Sequence, residues 1–317
     1  MSLISSLSDG VCRLARLGAG AALGVGLIVG LAPDRALAQT AEAVVPATAQ
    51  SRPALWVVRD ADSTIYLFGT VHLMRPGSDW MTPEVTQAFE GADELWLEIE
   101  DPGDAAAAQP LILQYGLSPQ TPLQSVLTSE EFARLDQAAQ SIGLSAAALN
   151  PMRPWLAGLT LSVAPLTRAG YDPQAGVDMM LRARAVEVGK PIRGLETMEQ
   201  QIRFFAELPE ADQVAFLRET LASFDQAETM LDAMAGAWAM GEPDALYALG
   251  GDEMKAQYPH FHDVILTNRN ADWAGQIQEE LAGSGTVFMA VGALHLAGPD
   301  SVQAQLATRG VQAERVQ

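Results

Sequence analysis

The segment YLFGTVHLMRPG, residues 66–77, joins a β-rich apolar run to a glycine and, three residues later, a histidine. A second segment, FMAVGALHLAGP, residues 288–299, has the same layout more than 200 residues downstream. The two segments carry two of the four histidines in the chain, His72 and His295. Each histidine is therefore predicted to follow a strand at its C-terminal end, the edge where open α/β sheets bind ligands.

The two glycines, Gly69 and Gly292, are predicted to let the backbone leave each strand in conformations that a β-carbon would resist. A lone histidine after a strand is more often a hydrogen-bonded structural residue. Two copies, on strands expected to be neighbours in the sheet, instead predict imidazoles that converge on one point. Imidazoles together with carboxylates suit a divalent ion such as Zn, Mn, Co or Fe.

The order of strand and helix patterns predicts an α/β fold. Strand patterns cover residues 55–58, 64–68 and 94–100, and a helix capped by Thr82 lies between the last two. Residues 104–260 are mostly helical in pattern, apart from a short strand at residues 191–194. A last helix then leads into a strand at residues 286–291. The predicted architecture is a mixed sheet formed by the two ends of the chain, with a large helical insertion between them.

The composition restricts the class of protein. With 317 residues, 49% hydrophobic and 18% charged, the chain is expected to form a globular core. The formal charge of −20 and the presence of only two lysines, Lys190 and Lys255, argue against nucleic-acid binding, which needs clusters of basic residues. The acidity favours cations over anions as ligands.

The first 38 residues are predicted to be a cleaved signal peptide. Arg13 and Arg16 precede an apolar segment at residues 17–32, and an Ala-Leu-Ala motif ends at Ala38. An uncleaved anchor is the alternative, although 16 apolar residues are short of the roughly 20 that span a membrane. The domain prediction is a signal peptide at 1–38, a flexible lead-in at 39–53 and one domain at 54–317. A periplasmic or secreted location follows, with no stable membrane span after cleavage.

The only cysteine, Cys12, lies inside the predicted signal peptide. The mature chain would therefore have no disulfide, thiolate metal site or cysteine nucleophile. The sequence also lacks a Gly-x-Ser-x-Gly elbow, a His-Glu-x-x-His helix, a phosphate-binding loop and a dinucleotide fingerprint. These absences argue against serine hydrolases, zincins, nucleotidases and dehydrogenases.

Two glutamates are candidate partners of the histidines, each with a second interpretation. Glu98 lies in the apolar strand segment LWLEIED, where an ionised side chain needs a partner. A solvated face of an edge strand would explain it equally well. Glu196 follows a strand–glycine turn in PIRGLET, but an acid near a helix start also complements the helix dipole.

Other polar residues have structural interpretations of similar weight. Asp178, near a helix start, is interpreted as a cap in preference to a site residue. Arg269 and Asn270 interrupt an apolar helix, and Arg269 is expected to bind a carboxylate or phosphate or to form an ordinary ion pair. His260 and His262 lie beside Pro259, in a predicted loop, and are interpreted as surface or packing residues.

Five motifs in this order resemble the TraB/GumN family, which is related to the Tiki-type metalloproteases. They are LWVV…STIYLFGTVHLM, LWLEIE, GVDMML…GKPIRGLET…EQ, NRNADWAGQI and VFMAVGALHLAGPDSV. Each motif is short, and the resemblance extends over about residues 54–317. The resemblance implies a single α/β domain related to the erythromycin-esterase and ChaN-like proteins. It also implies two Gly-x-x-His motifs and an early glutamate, with metal-dependent peptide cleavage in the Tiki branch.

Carried onto this chain, the resemblance places the motifs at Gly69–His72 and Gly292–His295, and the early glutamate at Glu98. The acid of the Gly-Leu-Glu motif falls on Glu196, and the late polar motif on Arg269 and Asn270. The predicted metal ligands are therefore His72, His295 and one or both of Glu98 and Glu196, holding Mn, Co or Zn. A glutamate that does not bind the metal is assigned as general base, and Arg269 or Asn270 as stabiliser of the oxyanion.

The sequence thus predicts an exported metal-dependent hydrolase, a peptidase in preference to an esterase or lactonase. A peptide or protein is the expected substrate. The alternative is a non-catalytic protein that binds a peptide or another ligand on the same fold. In that case the histidines and acids would form a structural hydrogen-bond network.

Overall fold

A computed structural model describes residues 51–317. The predicted signal peptide and most of the lead-in lie outside the described residues. Six strands form one sheet in the order β4-β3-β5-β2-β1-β6. The strands are β1 Leu55–Arg59, β2 Ser63–Thr70, β3 Glu94–Ile99, β4 Ile192–Glu196, β5 Gly285–Gly292 and β6 Glu314–Arg315.

The sheet is mixed, as the sequence predicted. Strands β4, β3, β5 and β2 run parallel, whereas β1 is antiparallel to β2 and β6 is antiparallel to β1. The two strands that precede the histidines are neighbours, and Thr70 at the end of β2 pairs with Gly292 at the end of β5. The C-terminal ends of four adjacent strands therefore meet at one edge of the sheet.

The sheet predicted from the two ends of the chain also includes the short strand predicted within the helical region. Strand β4 comes from the middle of the helical region and occupies an edge, paired with β3. It also runs two residues further than predicted, because Glu196 pairs in parallel register with Ile99. Glu196 is thus the last residue of a strand and does not lie in a turn after it.

Helices surround the sheet. Between β2 and β3 lies α1 (Pro83–Gly91), whose start is capped by Thr82 as predicted. The helices between β3 and β4 are α2 Ala105–Tyr115, α3 Leu123–Val126, α4 Ser129–Ser141, α5 Ala146–Leu149, α6 Pro154–Arg168 and α7 Val177–Val188. Those between β4 and β5 are α8 Met198–Ala206, α9 Glu210–Ser223, α10 Ala227–Ala239, α11 Pro243–Gly250, α12 Asp252–Gln257, α13 Pro259–His262 and α14 Asn268–Leu281, and α15 Val302–Thr308 follows β5.

Both faces of the sheet are buried. On one face, Phe68, Leu97 and Phe288 belong to a large apolar cluster with most of the helices. On the other, Trp96 and Met289 pack with residues of α14 and α15 in a smaller cluster. Strands covered on both faces are typical of parallel α/β sheets. Side chains at the C-terminal edge of the sheet are consequently enclosed by helices on either side.

One buried carboxyl lies in the helical region between β4 and β5. Glu219 of α9 is 5% exposed, and its Oε2 accepts a 3.4 Å hydrogen bond from the Tyr258 hydroxyl. Its Oε1 has no hydrogen-bond partner. Burial, together with the negative charge of Glu253, raises the pKa of Glu219 to about 7.

We expect Glu219→Gln to stabilise the protein in a pH-dependent way. The pKa is higher in the folded than in the unfolded chain, so the folded state loses stability as pH rises from about 4.5 to about 7. Above pH 7 the variant should gain about 2 kcal/mol in the free energy of unfolding, and below pH 4.5 almost nothing. Urea titrations at several pH values measure this gain. Glu210→Gln, at an exposed position of the same helix, is the control; a gain in Glu219→Gln that does not change with pH would contradict the account.

Candidate functional site

Four adjacent strands deliver the predicted site residues to one edge of the sheet. Glu196 ends β4 and Glu98 lies near the end of β3. His295 lies in a single 3-10 turn, Ala293–Leu296, directly after β5, and His72 follows β2. All four side chains are buried, between 0% and 9% exposed. The convergence of the two imidazoles, predicted from the sequence, is therefore present in the fold.

The glycines do not act as the conformational hinges that the sequence suggested. Gly69 lies inside β2, and Gly292 has φ −48° and ψ 133°, values that other residues adopt. A β-carbon at Gly69 would instead lie 3.0 Å from both Cα and Cβ of Ala293. Gly69 is needed for close approach, because the turn that carries His295 packs directly on β2.

Glu98 accepts hydrogen bonds from three other residues at the sheet edge. Its Oε1 accepts a 2.7 Å hydrogen bond from the Gly292 backbone N–H, and its Oε2 accepts bonds from Arg269 Nη2 (2.7 Å) and Gln201 Nε2 (3.0 Å). Burial opposes ionisation, but the positive charge of Arg269, the two adjacent imidazoles and the Gly292 bond together lower the pKa of Glu98 to about 2. The solvated-edge interpretation of Glu98 was wrong, because β3 is an interior strand.

Arg269 joins the two glutamates. Its Nε and Nη2 donate to the two carboxylate oxygens of Glu196 at 2.8 and 2.9 Å, and Trp273 Nε1 donates to Glu196 at 3.1 Å. Burial opposes the charge of Arg269, yet the two carboxylates raise its pKa above the usual value. The ion-pair interpretation of Arg269 is therefore confirmed, and both oxygens of Glu196 are occupied by hydrogen bonds.

Asn270 orients His295. The Asn270 Nδ2 group donates to the Asp300 carbonyl at 2.8 Å, which leaves Oδ1 facing His295 Nδ1 at 2.6 Å. Because an amide oxygen only accepts, Nδ1 of His295 carries a proton. Nε2 faces the guanidinium of Arg269, which only donates, and therefore accepts through its lone pair. That nitrogen lies 3.1 Å from Arg269 Nη1 and 3.8 Å from Glu98 Oε1. The Trp273 ring packs on the imidazole, 4.4 Å between centroids.

Asp178 orients His72 in the same manner. Its carboxylate lies 3.0 Å from His72 Nδ1, so His72 Nε2 faces Glu98 Oε1 at 3.9 Å. This Nε2 is buried and has no hydrogen-bond partner. Burial favours the neutral imidazole, but Asp178 and Glu98 outweigh it and raise the pKa of His72. Interpreting Asp178 as a cap was wrong, since Gly176 occupies the cap position of α7 and no side chain caps it.

A small cavity borders His72. Its volume is about 10 Å³, close to the space that one water-sized sphere takes up. The lining residues are Thr70, His72, Leu97, Glu98, Ile99, Pro102, Asp178 and Ala290. Thr70 Oγ1, like His72 Nε2, is a buried polar atom with no hydrogen-bond partner. The cavity therefore contains unsatisfied polar groups but lacks the volume for a substrate.

The other two histidines have structural surroundings. They lie on the short helix α13 and not in the predicted loop, because Pro259 occupies its first turn. His260 is exposed and pairs with Asp212 at 2.7 Å. His262 is buried, with its ring nitrogens 3.2 Å from the Tyr247 and Thr267 hydroxyls. Their interpretation as surface and packing residues is confirmed.

Sequence reasoning did not find Gln201, whose Nε2 bridges Glu98 and Glu196 at 3.0 and 3.2 Å. The capping box that starts α8, formed by Thr197 and Gln200, explains why a helix begins there. It gives no sign that the next residue points back under the sheet edge. The one available clue is position, since Gln201 lies in the first turns of a helix that begins directly after a candidate glutamate.

The donor atoms do not form a complete metal site. Within residues 51–317, no group of three or more His, Cys, Asp or Glu side chains has the arrangement of a metal site. Glu98 Oε1 is nevertheless 3.8 and 3.9 Å from the two imidazole Nε2 atoms. Two ligands about 2.1 Å from a shared tetrahedral ion would be roughly 3.4 Å apart. A contraction of roughly 0.4–0.5 Å would bring Glu98 Oε1 to that spacing from each imidazole nitrogen.

Fold and site define an α/β protein with a buried His–Glu–Arg cluster at the ends of its parallel strands. A profile of the TraB/PrgY/gumN family matches residues 54–315, and the chain belongs to that family. It is 25% identical over 259 residues to the uncharacterized protein YbaP of Escherichia coli (strain K12) and, to the same extent, to YbaP of Shigella flexneri. Each alignment covers 80% of this chain and 92% of the relative.

No solved structure matches the chain. Among the helices of residues 51–317, none is long and apolar enough to cross a membrane.

Proposed function

We propose that the protein is an exported metal-dependent hydrolase, with a peptidase as the favoured activity. The observation that carries the proposal is the pair of imidazoles whose Nε2 atoms flank one carboxylate oxygen, Glu98 Oε1. The Nδ1 atom of each ring contacts a side-chain oxygen, that of Asp178 for His72 and that of Asn270 for His295. A histidine that binds a metal through one ring nitrogen usually donates the N–H of the other to an oxygen acceptor.

The charge of the site also favours a cation. The site contains three buried carboxylates, of which Glu98 and Glu196 pair with one guanidinium, that of Arg269. The third, Asp178, pairs with His72. Buried charge that is not compensated is strongly unfavourable. A bound divalent ion would compensate it, as would a proton on His72. The composition of the site is thus the opposite of what an anionic ligand needs.

His72, His295 and Glu98 would hold the ion, Mn, Co or Zn. A bound ion would supply a Lewis acid for a carbonyl oxygen and a more acidic water molecule. Asp178 and Asn270 would keep the imidazoles in the tautomer that binds through Nε2. Both carboxylate oxygens of Glu196 accept hydrogen bonds, from Arg269, Gln201 and Trp273. We therefore assign Glu196 the role of holding Arg269 in place. To donate to a developing oxyanion, Arg269 Nη1 would turn away from His295.

The peptidase assignment, the relation of the fold to the Tiki, ChaN-like and erythromycin-esterase proteins, and export all belong to this proposal. Membership of the TraB/PrgY/gumN family, taken with its resemblance to the Tiki branch, supports the first two. The predicted signal peptide at residues 1–38 supports the third.

The proposal predicts peptide cleavage that depends on metal. Purified chain without residues 1–38, supplied with Mn, Co or Zn, should cleave a peptide library, and His72→Ala should lose at least about 100-fold of that activity. Mass spectrometry of the digest measures cleavage. His260→Ala, at an exposed histidine outside the site, should cleave like the parent. Equal activity in the parent and in His72→Ala would contradict the assignment.

A non-catalytic binding protein is the second candidate, and one observation favours it. Arg269 already donates to His295 Nε2 and to both glutamates, which nearly completes a hydrogen-bond network without any metal. In this case, His72→Ala and the parent chain would bind a peptide ligand alike, and neither would bind metal or cleave peptide.

A further inference from the structure

The site residues are enclosed too tightly for a substrate to reach them. The two histidines, Glu98 and Arg269 are at most 4% exposed, and the cavity beside His72 has a volume of about 10 Å³. A peptide segment is far larger than this volume. Some part of the wall must therefore move before anything beyond a water molecule or an ion reaches His72 Nε2.

We propose that residues 100–104, here called the cover segment, are a gate over this cavity and that Arg182 is its latch. The inference rests on the proposed function only for the identity of the site that is gated. The cover segment links the end of β3 to α2 and contributes Pro102 to the cavity wall.

The rest of the wall is held more firmly than the cover segment. The lining residues Thr70, Leu97 and Ala290 belong to strands in the centre of the sheet. Asp178 lies in the first turn of α7, where the Val177 N–H donates to the Val71 carbonyl at 2.9 Å. Moving any of these residues would break sheet pairing or the His72 contact, whereas moving Pro102 would not.

The latch is at the surface. Arg182 Nε donates to the Glu100 carbonyl at 3.1 Å, and its Nη2 pairs with the Asp101 carboxylate. The Arg182 and Asp101 side chains are 26% and 41% exposed, so water competes for both partners. Arg182 lies one turn after Asp178 on α7, which places the latch and the partner of His72 on the same face of one helix.

The gate is tested by the rate at which diethyl pyrocarbonate modifies each histidine of the metal-free chain, followed by peptide mass spectrometry. The four histidines supply internal standards. His260, with 57% of its side chain exposed, reports freely accessible imidazole, and His262, at 0%, reports general loosening of the fold. When opening and closing are fast, the rate at His72 follows the population of the open form.

Arg182→Met should raise the His72 rate by about tenfold, since it removes the ion pair with Asp101 and the side-chain hydrogen bond to the Glu100 carbonyl. The rates at His260 and His262 should not change. The matched control is Arg184→Met, which removes another partly exposed ion pair of α7, made with Glu90 of α1 and not with the cover segment. Asp101→Asn should also raise the His72 rate, but by a smaller factor, because Arg182 would still bond the Glu100 carbonyl.

An unchanged His72 rate in Arg182→Met would overturn the gate, as would an equal rise in Arg184→Met or a rise shared by His262. The readout uses neither metal nor substrate. A protein that opens as expected but cleaves nothing would keep the gate and reject the hydrolase. A protein that cleaves peptide, but whose His72 rate is unchanged by Arg182→Met, would keep the hydrolase and reject the gate.

Discussion

Arg269→Met is expected to destabilise the protein by about 3–5 kcal/mol in the free energy of unfolding. The substitution keeps much of the side-chain volume but removes the guanidinium, which donates to Glu98 and to both oxygens of Glu196. The two carboxylates would remain buried with Gln201 Nε2, Trp273 Nε1 and the Gly292 N–H as their donors. A buried charge that has lost its partner is much less stable than the intact pair. Urea denaturation followed by circular dichroism measures the difference.

Arg218→Met is the matched control for Arg269→Met. Arg218 makes a comparable two-bond contact with one carboxylate, Glu131, but 48% of its side chain is exposed. Its replacement should lower the free energy of unfolding by less than about 1 kcal/mol. Similar losses in the two variants would show that the buried network adds no more stability than a surface ion pair, contrary to the account.

Asp178→Asn is expected to weaken metal binding by about 10- to 100-fold without unfolding the chain. An asparagine can still accept the His72 Nδ1 proton, but without the negative charge that makes the imidazole a better ligand. The acidic partner of the first histidine is thus predicted to act on affinity, whereas the amide partner of the second, Asn270, mainly fixes ring orientation.

Titration calorimetry with Mn, Co and Zn measures this affinity. Glu187→Gln, at an exposed position of the same helix, removes one negative charge away from the site and should leave the affinity unchanged. If both variants weaken binding equally, the effect would be one of overall charge and not of the Asp178–His72 contact.

The meeting of His72 and His295 was predictable from the sequence, because a repeated strand–turn layout on parallel neighbours places both turns at the same edge. The burial of Glu98 was not predictable, since it depends on β4, a strand almost 100 residues away that converts β3 from an edge to an interior strand. Local pattern contains no information on such pairing.

Other features depend on three-dimensional contacts in the same way. Asp178 is a plausible cap in sequence, and its role appears only when α7 docks against the loop that carries His72. Gly69 was identified as important, but for the wrong reason, because the approach of Ala293 comes from the far end of the chain. The sequence therefore identified most of the residues that meet, while the fold determines which atom of each faces which partner.

Metal content is decisive for the proposed site. It is measured on the chain purified without a polyhistidine tag, reconstituted with Mn, Co or Zn and freed of unbound ion. We expect one ion for each chain of the parent protein, and less than about a tenth of that in His72→Ala, which removes one of three ligands. His260→Ala should keep the full complement. A parent protein that holds no ion after reconstitution, or a His72→Ala variant that holds as much as the parent, would contradict the account.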